Sequence, residues 1–257
     1  MLIRREQVEV FEKTAWISFE NEMVQYIQNF APRLAAVAGE ENVRKLVRTG
    51  LGRAKAYKLR LRGPMRFYLE LMASLGSDFD SDPAIPWARA GLTDETVRDE
   101  MERAERLYQR LLVFNEAVSG KENEYGKQAL KRILSANPGE FAASPEPLEE
   151  KTVKALELMY PQKADAAGRA ALLLLVQRTR EKTQRYAIKS QEGAALLTGL
   201  MFAFGHGVDT DPMYPWVMTA LTDPLIIDEA GRVKRLYDRT RVYAQRVLEQ
   251  LEKSASS

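Results

Sequence analysis

The 257-residue sequence contains no cysteine and a single histidine, His206. Without cysteine the chain can form no disulfide and no thiolate metal site, and it cannot use thiol catalysis. One histidine excludes every site that needs several histidines and allows at most one histidine-based catalytic arrangement. We therefore expect no metal, no other cofactor and no enzymatic activity.

The sequence also lacks a strong net charge and a long apolar run. Its 38 basic and 36 acidic residues leave +2, so no overall charge indicates a nucleic acid or a membrane partner. The longest uncharged stretch, 193–205, is shorter than the roughly 18 apolar residues of a spanning helix, and it predicts a buried helix. Charged side chains in the opening segment MLIRREQVEVFEK replace the apolar segment of a signal peptide, so we expect a cytoplasmic protein.

What the sequence does contain is helical periodicity. Apolar residues make up 45% of the chain, and they recur every three or four residues, the spacing of one apolar helix face. No convincing segment alternates as a strand would. The sequence therefore predicts an all-α fold, with helices over 6–30, 40–57, 64–75, 94–118, 127–134, 165–186, 191–204 and 229–253.

A repeat organises this helical pattern. The segment 76–87 (GSDFDSDPAIPW) returns at 205–216 (GHGVDTDPMYPW), an offset of 129 in the numbering, and the same offset gives 26 identities over the 83 positions 32–114. We interpret this as an internal duplication, because solenoid repeats have periods of only about 20–50 residues. The predicted organisation is a helical unit at 1–118, a linker rich in Gly, Pro and small polar residues at 119–145, and a second unit at 146–257.

The repeated segment has an acidic pattern that invites a metal interpretation. Aspartates alternate over 78–82 like the first three ligand positions of a calcium loop. The remaining positions disagree, because Pro83 replaces the required Gly and Arg89 replaces the bidentate Glu. The second copy also has Gly207 in place of the first Asp. We therefore predict no calcium site.

A structural interpretation of the same segment explains more of its residues. Asp82 and Asp211 can accept hydrogen bonds from free amides at a helix start, and the prolines that follow suit the first helical position. The tryptophans would then lie on a short helix and pack into the core. The alternative is a surface loop that docks a partner. The residues concerned are Asp80, Asp82, Pro83, Pro86, Trp87, Asp209, Asp211, Pro212, Pro215 and Trp216.

The histidine and the carboxylates offer no clear catalytic pattern. His206 corresponds to Ser77 at the offset of the repeat, and no neighbouring Ser or Asp forms an obvious triad with it. No spacing singles out a pair of carboxylates that could act on a glycosidic bond. We interpret His206 as a loop histidine without a special role.

Charge is segregated within the first unit. The segment 44–66 has nine basic residues and no acidic one, whereas 70–105 has ten acidic and three basic residues. This basic strip could bind phosphate with Tyr57 among the arginines, or it could be a solvated helix face that pairs with the acidic final helix of its own unit. The near-neutral units favour the second interpretation. The strip comprises Arg44, Lys45, Arg48, Arg53, Lys55, Lys58, Arg60, Arg62 and Arg66.

Three stretches carry a family resemblance: FEKTAWISFENEMVQYIQNFAP, RAKAYKL and YLELMASLGSDFDSDPAIPWARAGL. With them the chain resembles a family of small helical proteins encoded in bacterial type VI secretion effector clusters, near PAAR-tip, adaptor-chaperone and toxin genes. The resemblance covers most of 8–92 and, in the second copy, about 160–221. Members usually resemble one unit, whereas this chain has two.

The resemblance implies a cytoplasmic accessory protein without catalysis. Such a co-chaperone would partner an adaptor and help to load a toxic effector onto the secretion spike. An immunity protein that neutralises a toxin is the main alternative. Nucleic-acid binding through the basic strip is a second alternative, and a less favoured one.

Overall fold

The computed structural model describes residues 5–137 and 146–255, with side chains from 14 to 137 and from 146 to 253. Within these ranges all regular structure is helical and there is no β-strand, which confirms the all-α prediction. None of the described helices is long and apolar enough to cross a membrane.

Helices α1 to α6 form the first half of the chain. They pack in sequence around α3 and α4, with a short 3₁₀ turn at Phe79–Ser81 between α4 and α5. Their bounds are Arg5–Phe30 (α1), Pro32–Ala38 (α2), Glu40–Ala56 (α3), Arg62–Leu75 (α4), Pro86–Leu92 (α5) and Glu100–Ser119 (α6).

Helices α7 to α13 form the rest of the described chain. A 3₁₀ turn at Lys121–Asn123 leads into α7. The helices α9 to α13 begin at the positions that the repeat offset pairs with the starts of α2 to α6, respectively. Their bounds are Glu124–Ser135 (α7), Leu148–Met159 (α8), Pro161–Ala167 (α9), Arg169–Arg185 (α10), Gln191–Phe204 (α11), Pro215–Thr222 (α12) and Glu229–Ala255 (α13).

The predicted helix 165–186 is wrong in its start, because two helices cover this region. α9 begins at Pro161 and ends at Ala167, and the next residue, Gly168, has a φ of 80°, in the left-handed region that glycine adopts without strain. α10 then begins at Arg169. Gly39 has a φ of 81° and separates α2 from α3 in the same way.

The predicted helix 94–118 is also wrong in its start. Asp94 Oδ1 accepts hydrogen bonds from the N–H and the hydroxyl of Thr96, at 3.0 and 2.6 Å, and these bonds hold a turn instead of a helix. α6 begins at Glu100 because Asp99 caps it, accepting the N–H of Glu102 at 2.8 Å.

The described part of the predicted linker is largely a packed helix. α7 contains the predicted helix 127–134, and its Leu130 forms a small buried cluster with Ala244 and Leu248 of α13. The remaining residues of the linker prediction, 138–145, lie outside the described ranges.

The two halves share one hydrophobic core. Their buried apolar side chains belong to a single continuous cluster, and α9 packs against α6. The Tyr160 hydroxyl, just before α9, donates a hydrogen bond of 2.6 Å to the Val118 carbonyl near the end of α6. The halves therefore lie against each other and are not separated by a free tether.

Two glycines in α3 allow a test of this packing. A Cβ on Gly50 would overlap the side chains of Leu69 and Met72 in α4, whereas nothing lies within 4 Å of a Cβ on Gly52. We expect Gly50→Ala to lower the free energy of unfolding by about 1–3 kcal/mol through overpacking. Gly52→Ala should raise it by up to about 1 kcal/mol through helix propensity. Urea unfolding measures both, and equal effects at the two positions would contradict the packing.

Candidate functional site

The repeated segment lies where the two halves meet. Gly76 and Gly205 have φ values of 100° and 103°, and their backbones touch. A Cβ on Gly76 would lie 2.6 Å from the Phe204 carbonyl oxygen, and one on Gly205 would lie 2.8 Å from the Leu75 carbonyl oxygen. Only glycine allows this approach.

Two buried aspartates bind across this contact in a reciprocal way. Asp211 Oδ2 accepts the backbone N–H of Ser77 at 2.7 Å, and Asp82 Oδ2 accepts the backbone N–H of His206 at 2.9 Å. Ser77 and His206 are matched positions, as are the two aspartates. Each half therefore gives the other the same carboxylate and the same amide, as the subunits of a two-fold dimer do.

The second oxygen of each aspartate closes a local turn. Asp82 Oδ1 accepts the N–H of Ala84, and Asp211 Oδ1 accepts the N–H of Met213, both at 2.8 Å. The prediction that these aspartates cap a helix is therefore wrong, although they do accept amide hydrogen bonds. Because each side chain closes a turn over two residues, Pro83 and Pro212 lie inside that turn, and α5 and α12 begin at Pro86 and Pro215.

Asp80 and Asp209 connect the segment to its own half. The Tyr68 hydroxyl donates to Asp80 at 2.7 Å, and the Tyr186 hydroxyl donates to Asp209 at 2.9 Å. Lys182 of α10 also forms an ion pair with the fully buried Asp209. Burial is the main cause that raises the pKa of Tyr186 to about 12. Burial also raises the pKa of Tyr68, so both tyrosines act as neutral donors.

Asp78 explains why the two copies differ at one position. Its carboxylate forms an ion pair with Arg53 at 2.5 Å. A side chain at the matched Gly207 would overlap this carboxylate, so only one of the two positions can hold an aspartate.

The aspartates of the segment do not converge on one point. Each is turned towards its own protein donors, and among the described side chains no group of three or more His, Cys, Asp or Glu residues could hold a metal ion.

His206 is a half-buried contact of the interface, so its interpretation as a loop residue without a special role is wrong. Its Nε2 lies 2.9 Å from Ser81 Oγ and 3.1 Å from the Asp78 carbonyl oxygen, and its Nδ1 lies 3.4 Å from Arg178. Since a carbonyl only accepts, Nε2 carries the proton and Nδ1 faces the guanidinium. Burial, with Arg178 adding to it, lowers the pKa of His206.

The tryptophans of the segment pack on the final helix of each half. Trp87 lies 5.8 Å from the Phe114 ring of α6, and Trp216 lies 5.6 Å from the Tyr243 ring of α13. Both are partly buried against the core. Together with the buried aspartates, this placement leaves the segment little free surface for docking a partner.

The basic strip pairs mainly with α1, not with the acidic final helix that we expected. Arg44 and Arg48 both bind Glu20, at 3.0 and 2.9 Å, and Arg62 pairs with Glu22. The reason is proximity, because α3 packs along α1.

The other residues of the strip have separate surroundings. Arg53 binds Asp78, Lys55 lies over the Trp16 ring at 3.3 Å, and Arg66 lies 3.5 Å from Glu70. From the final helix, Glu100 accepts the backbone N–H groups of 60 and 61. Three further residues of the strip form no ion pair with any described side chain, and they are Lys45, Lys58 and Arg60.

The larger cavity lies in the second half and was not predicted. It has a volume of about 620 Å³ and is lined by residues of α7, α8, α11 and α13. Its charged lining residues are Arg132, Lys151 and Glu192, of which Lys151 is buried. Its walls are mainly apolar and include Ala155, Leu156, Leu196, Gly199, Leu200 and Ala203.

The matched positions of the first half show how this cavity arises. There the Tyr26 hydroxyl donates to Glu70 at 2.6 Å, and the Arg66 guanidinium lies 5.0 Å from the Tyr26 ring. In the second half, smaller residues replace all three side chains, and the volume stays open. These residues are Ala155, Ala195 and Gly199. The sequence signal that could have predicted this cavity is the replacement of large side chains by small ones at three matched positions of the repeat.

The comparisons with known proteins identified no relative of this chain. No protein-family model matches the chain, and no curated protein and no solved structure matches it. The resemblance to the type VI secretion accessory family therefore stays a prediction.

The reciprocal aspartates lead to a prediction about stability. We expect Asp82→Ala and Asp211→Ala each to lower the free energy of unfolding by about 1.5–3 kcal/mol, because each removes hydrogen bonds to a charged group and leaves buried amides unpaired. Asp165→Ala, at an exposed position of α9, is the control and should change it by less than about 0.5 kcal/mol. Urea unfolding followed by circular dichroism measures all three. A similar small effect of all the variants would contradict the interface.

Two groups at the interface should respond to pH in opposite directions. The lowered pKa of His206 gives a stabilising contribution above its ordinary value of 6.5 that is lost as the pH falls. Burial raises the pKa of Asp211 from 3.8 to about 6, although two amides favour its ionised form. Its contribution is therefore complete below pH 3.8 and is lost as the pH rises through 6.

We expect His206→Gln to lose less stability than the unmodified chain as the pH falls below 6.5. Asp211→Asn should lose less as the pH rises from 3.8 through 6. Urea unfolding at a series of pH values measures both profiles. Profiles that run parallel to that of the unmodified chain would show that neither group titrates as described.

Proposed function

We propose that this chain is a non-catalytic, cytoplasmic accessory protein that binds an adaptor or a toxic effector for loading onto a type VI secretion spike. The resemblance over 8–92 supports this role. The aspartates of the repeated segment are occupied by hydrogen bonds to other protein groups, which supports the absence of catalysis. Asp80, Asp82, Asp209 and Asp211 are all buried and bonded to protein donors.

We further propose that the chain is a tandem duplication, with units at 1–118 and 146–257. Five helices of the second half begin at the offset of the sequence repeat, and the contact between the halves is reciprocal. Independent folds joined by chance would share neither feature. Both features therefore support the duplication.

The observation that carries the proposed function is the apolar cavity of the second half. Binding sites between helices of a bundle combine apolar walls with a few polar groups that fix orientation. This cavity has such walls, and its lining includes the charged residues Arg132, Lys151 and Glu192. We propose that it receives apolar side chains of a partner segment, which would act as anchors in a complex that buries about 1,600 Å².

A cavity-filling variant tests this proposal. Nothing lies within 4 Å of a Cβ on Gly199, so Gly199→Leu should fold while its side chain occupies the cavity. Gly52→Leu is the matched control, because Gly52 is an exposed helical glycine with the same open space. Co-expression with the neighbouring adaptor and effector genes, followed by affinity purification, should give a 1:1 complex for the unmodified chain and for Gly52→Leu but not for Gly199→Leu.

Two results would overturn the proposal. Absence of any complex with the unmodified chain would contradict the accessory role, and equal recovery with Gly199→Leu would contradict the cavity as the binding site.

A protection assay distinguishes the alternative, an immunity protein, from an accessory protein. Rescue of cells that express the toxin would support immunity, whereas loss of effector export on deletion would support loading.

A further inference from the structure

A second cavity lies in the first half, beside the loop that joins α5 to α6. It has a volume of about 310 Å³, roughly half that of the apolar cavity. Three arginines of α6 line it, at positions three and four residues apart that share one helix face. They are Arg103, Arg106 and Arg110, and the only carboxylate among the lining residues is Asp94.

Arg103 is the buried arginine of this pocket. It is only 8% exposed, and its Nε is buried without a hydrogen-bond acceptor. Among the described residues its side chain makes one hydrogen bond, a long one of 3.5 Å from Nη1 to the Leu92 carbonyl oxygen. It forms no ion pair with any side chain in the described ranges. A buried cation without a counter-charge is costly, and such groups are normally compensated.

Arg106 and Arg110 are exposed at the mouth. Arg106 binds Glu102 at 2.7 Å, whereas Arg110 forms no ion pair with the described residues. Asp94 compensates only in part, because its Oδ1 is already bonded to Thr96. The lining residues therefore carry three positive charges against one negative charge.

The second half has the same residues but pairs more of them within the protein. Arg232, Arg235 and Arg239 are the matched arginines, and Asp223 matches Asp94. Asp223 pairs with Arg235 at 3.0 Å. Arg232 Nη1 donates to two loop carbonyls, at 3.1 and 3.4 Å, although its Nε also lacks an acceptor. The helical frame therefore does not require the open arrangement of the first half.

We propose that the first-half pocket binds the phosphate group of a small phosphate monoester. Planar guanidinium groups bind tetrahedral oxyanions through paired hydrogen bonds, and arginine is the residue of choice for this task. The volume equals about ten times the roughly 30 Å³ that a water occupies in the liquid, so an organic group fits beside the phosphate. Val97 and Leu107 supply apolar walls for that group. This inference does not depend on the proposed role in secretion.

The test is thermal unfolding of the full chain with two probes, inorganic phosphate and glycerol 3-phosphate, against sodium chloride at matched ionic strength. A ligand at about ten times its Kd should raise Tm by about 3–6 °C in a chain of this size. Tighter binding of glycerol 3-phosphate assigns a monoester as the ligand. Equal or tighter binding of inorganic phosphate would overturn the monoester, and no rise with either probe would overturn the site.

Three variants separate this binding from the general stabilisation of proteins by phosphate salts. Arg110→Gln changes an exposed residue and should abolish most of the rise without unfolding the chain. Arg103→Lys keeps the charge but loses the planar fork, and it should weaken binding at least tenfold. Arg98→Gln is the control, because Arg98 is exposed on the same loop but does not line the pocket. An equal rise in all three variants would overturn the proposal.

Discussion

The pair of buried carboxylates at the junction of the halves constrains most of the molecule. Each one closes its own turn with one oxygen and holds an amide of the opposite half with the other. The bond to the opposite half requires close backbones, which is why Gly76 and Gly205 are needed beside these aspartates. The same turns determine where α5 and α12 begin, and hence where the tryptophans pack on the final helices.

Within this common frame the halves differ in their surfaces. The first half fills the space between its helices with Tyr26 and Glu70, and the second half leaves the matched space open as an apolar cavity. The reverse holds at the loops before the final helices. There the second half pairs Asp223 with Arg235, and the first half leaves a cationic pocket. The proposed binding properties therefore arise where the two halves differ.

Hydrophobic periodicity and the residues that start and stop helices predicted the helical fold and most helix positions, since both are local signals in the sequence. The two misplaced starts, at 94 and 165, lie where a side-chain turn or a glycine with positive φ decides the boundary. The interface was beyond prediction because the repeat identifies matched positions and not their contacts. The sequence does not show that the second carboxylate oxygen of Asp82 accepts the backbone N–H of His206, because the two residues are 124 positions apart. The cavity exists because Ala155 and Gly199 are smaller than Tyr26 and Glu70 at the matched positions of the first half. Neither residue alone predicts a cavity, because both must be small for the space to stay open.

The reciprocal contact has a consequence for assembly. A surface that pairs with its own equivalent is fully used when two copies meet, so it cannot extend into a filament. Because both halves lie on one chain, their association is intramolecular and does not weaken on dilution, as that of two separate subunits would. Covalent linkage also means that the two halves need not be identical. Gly207 can therefore face Asp78 without the charge repulsion that a symmetric pair of aspartates would bring.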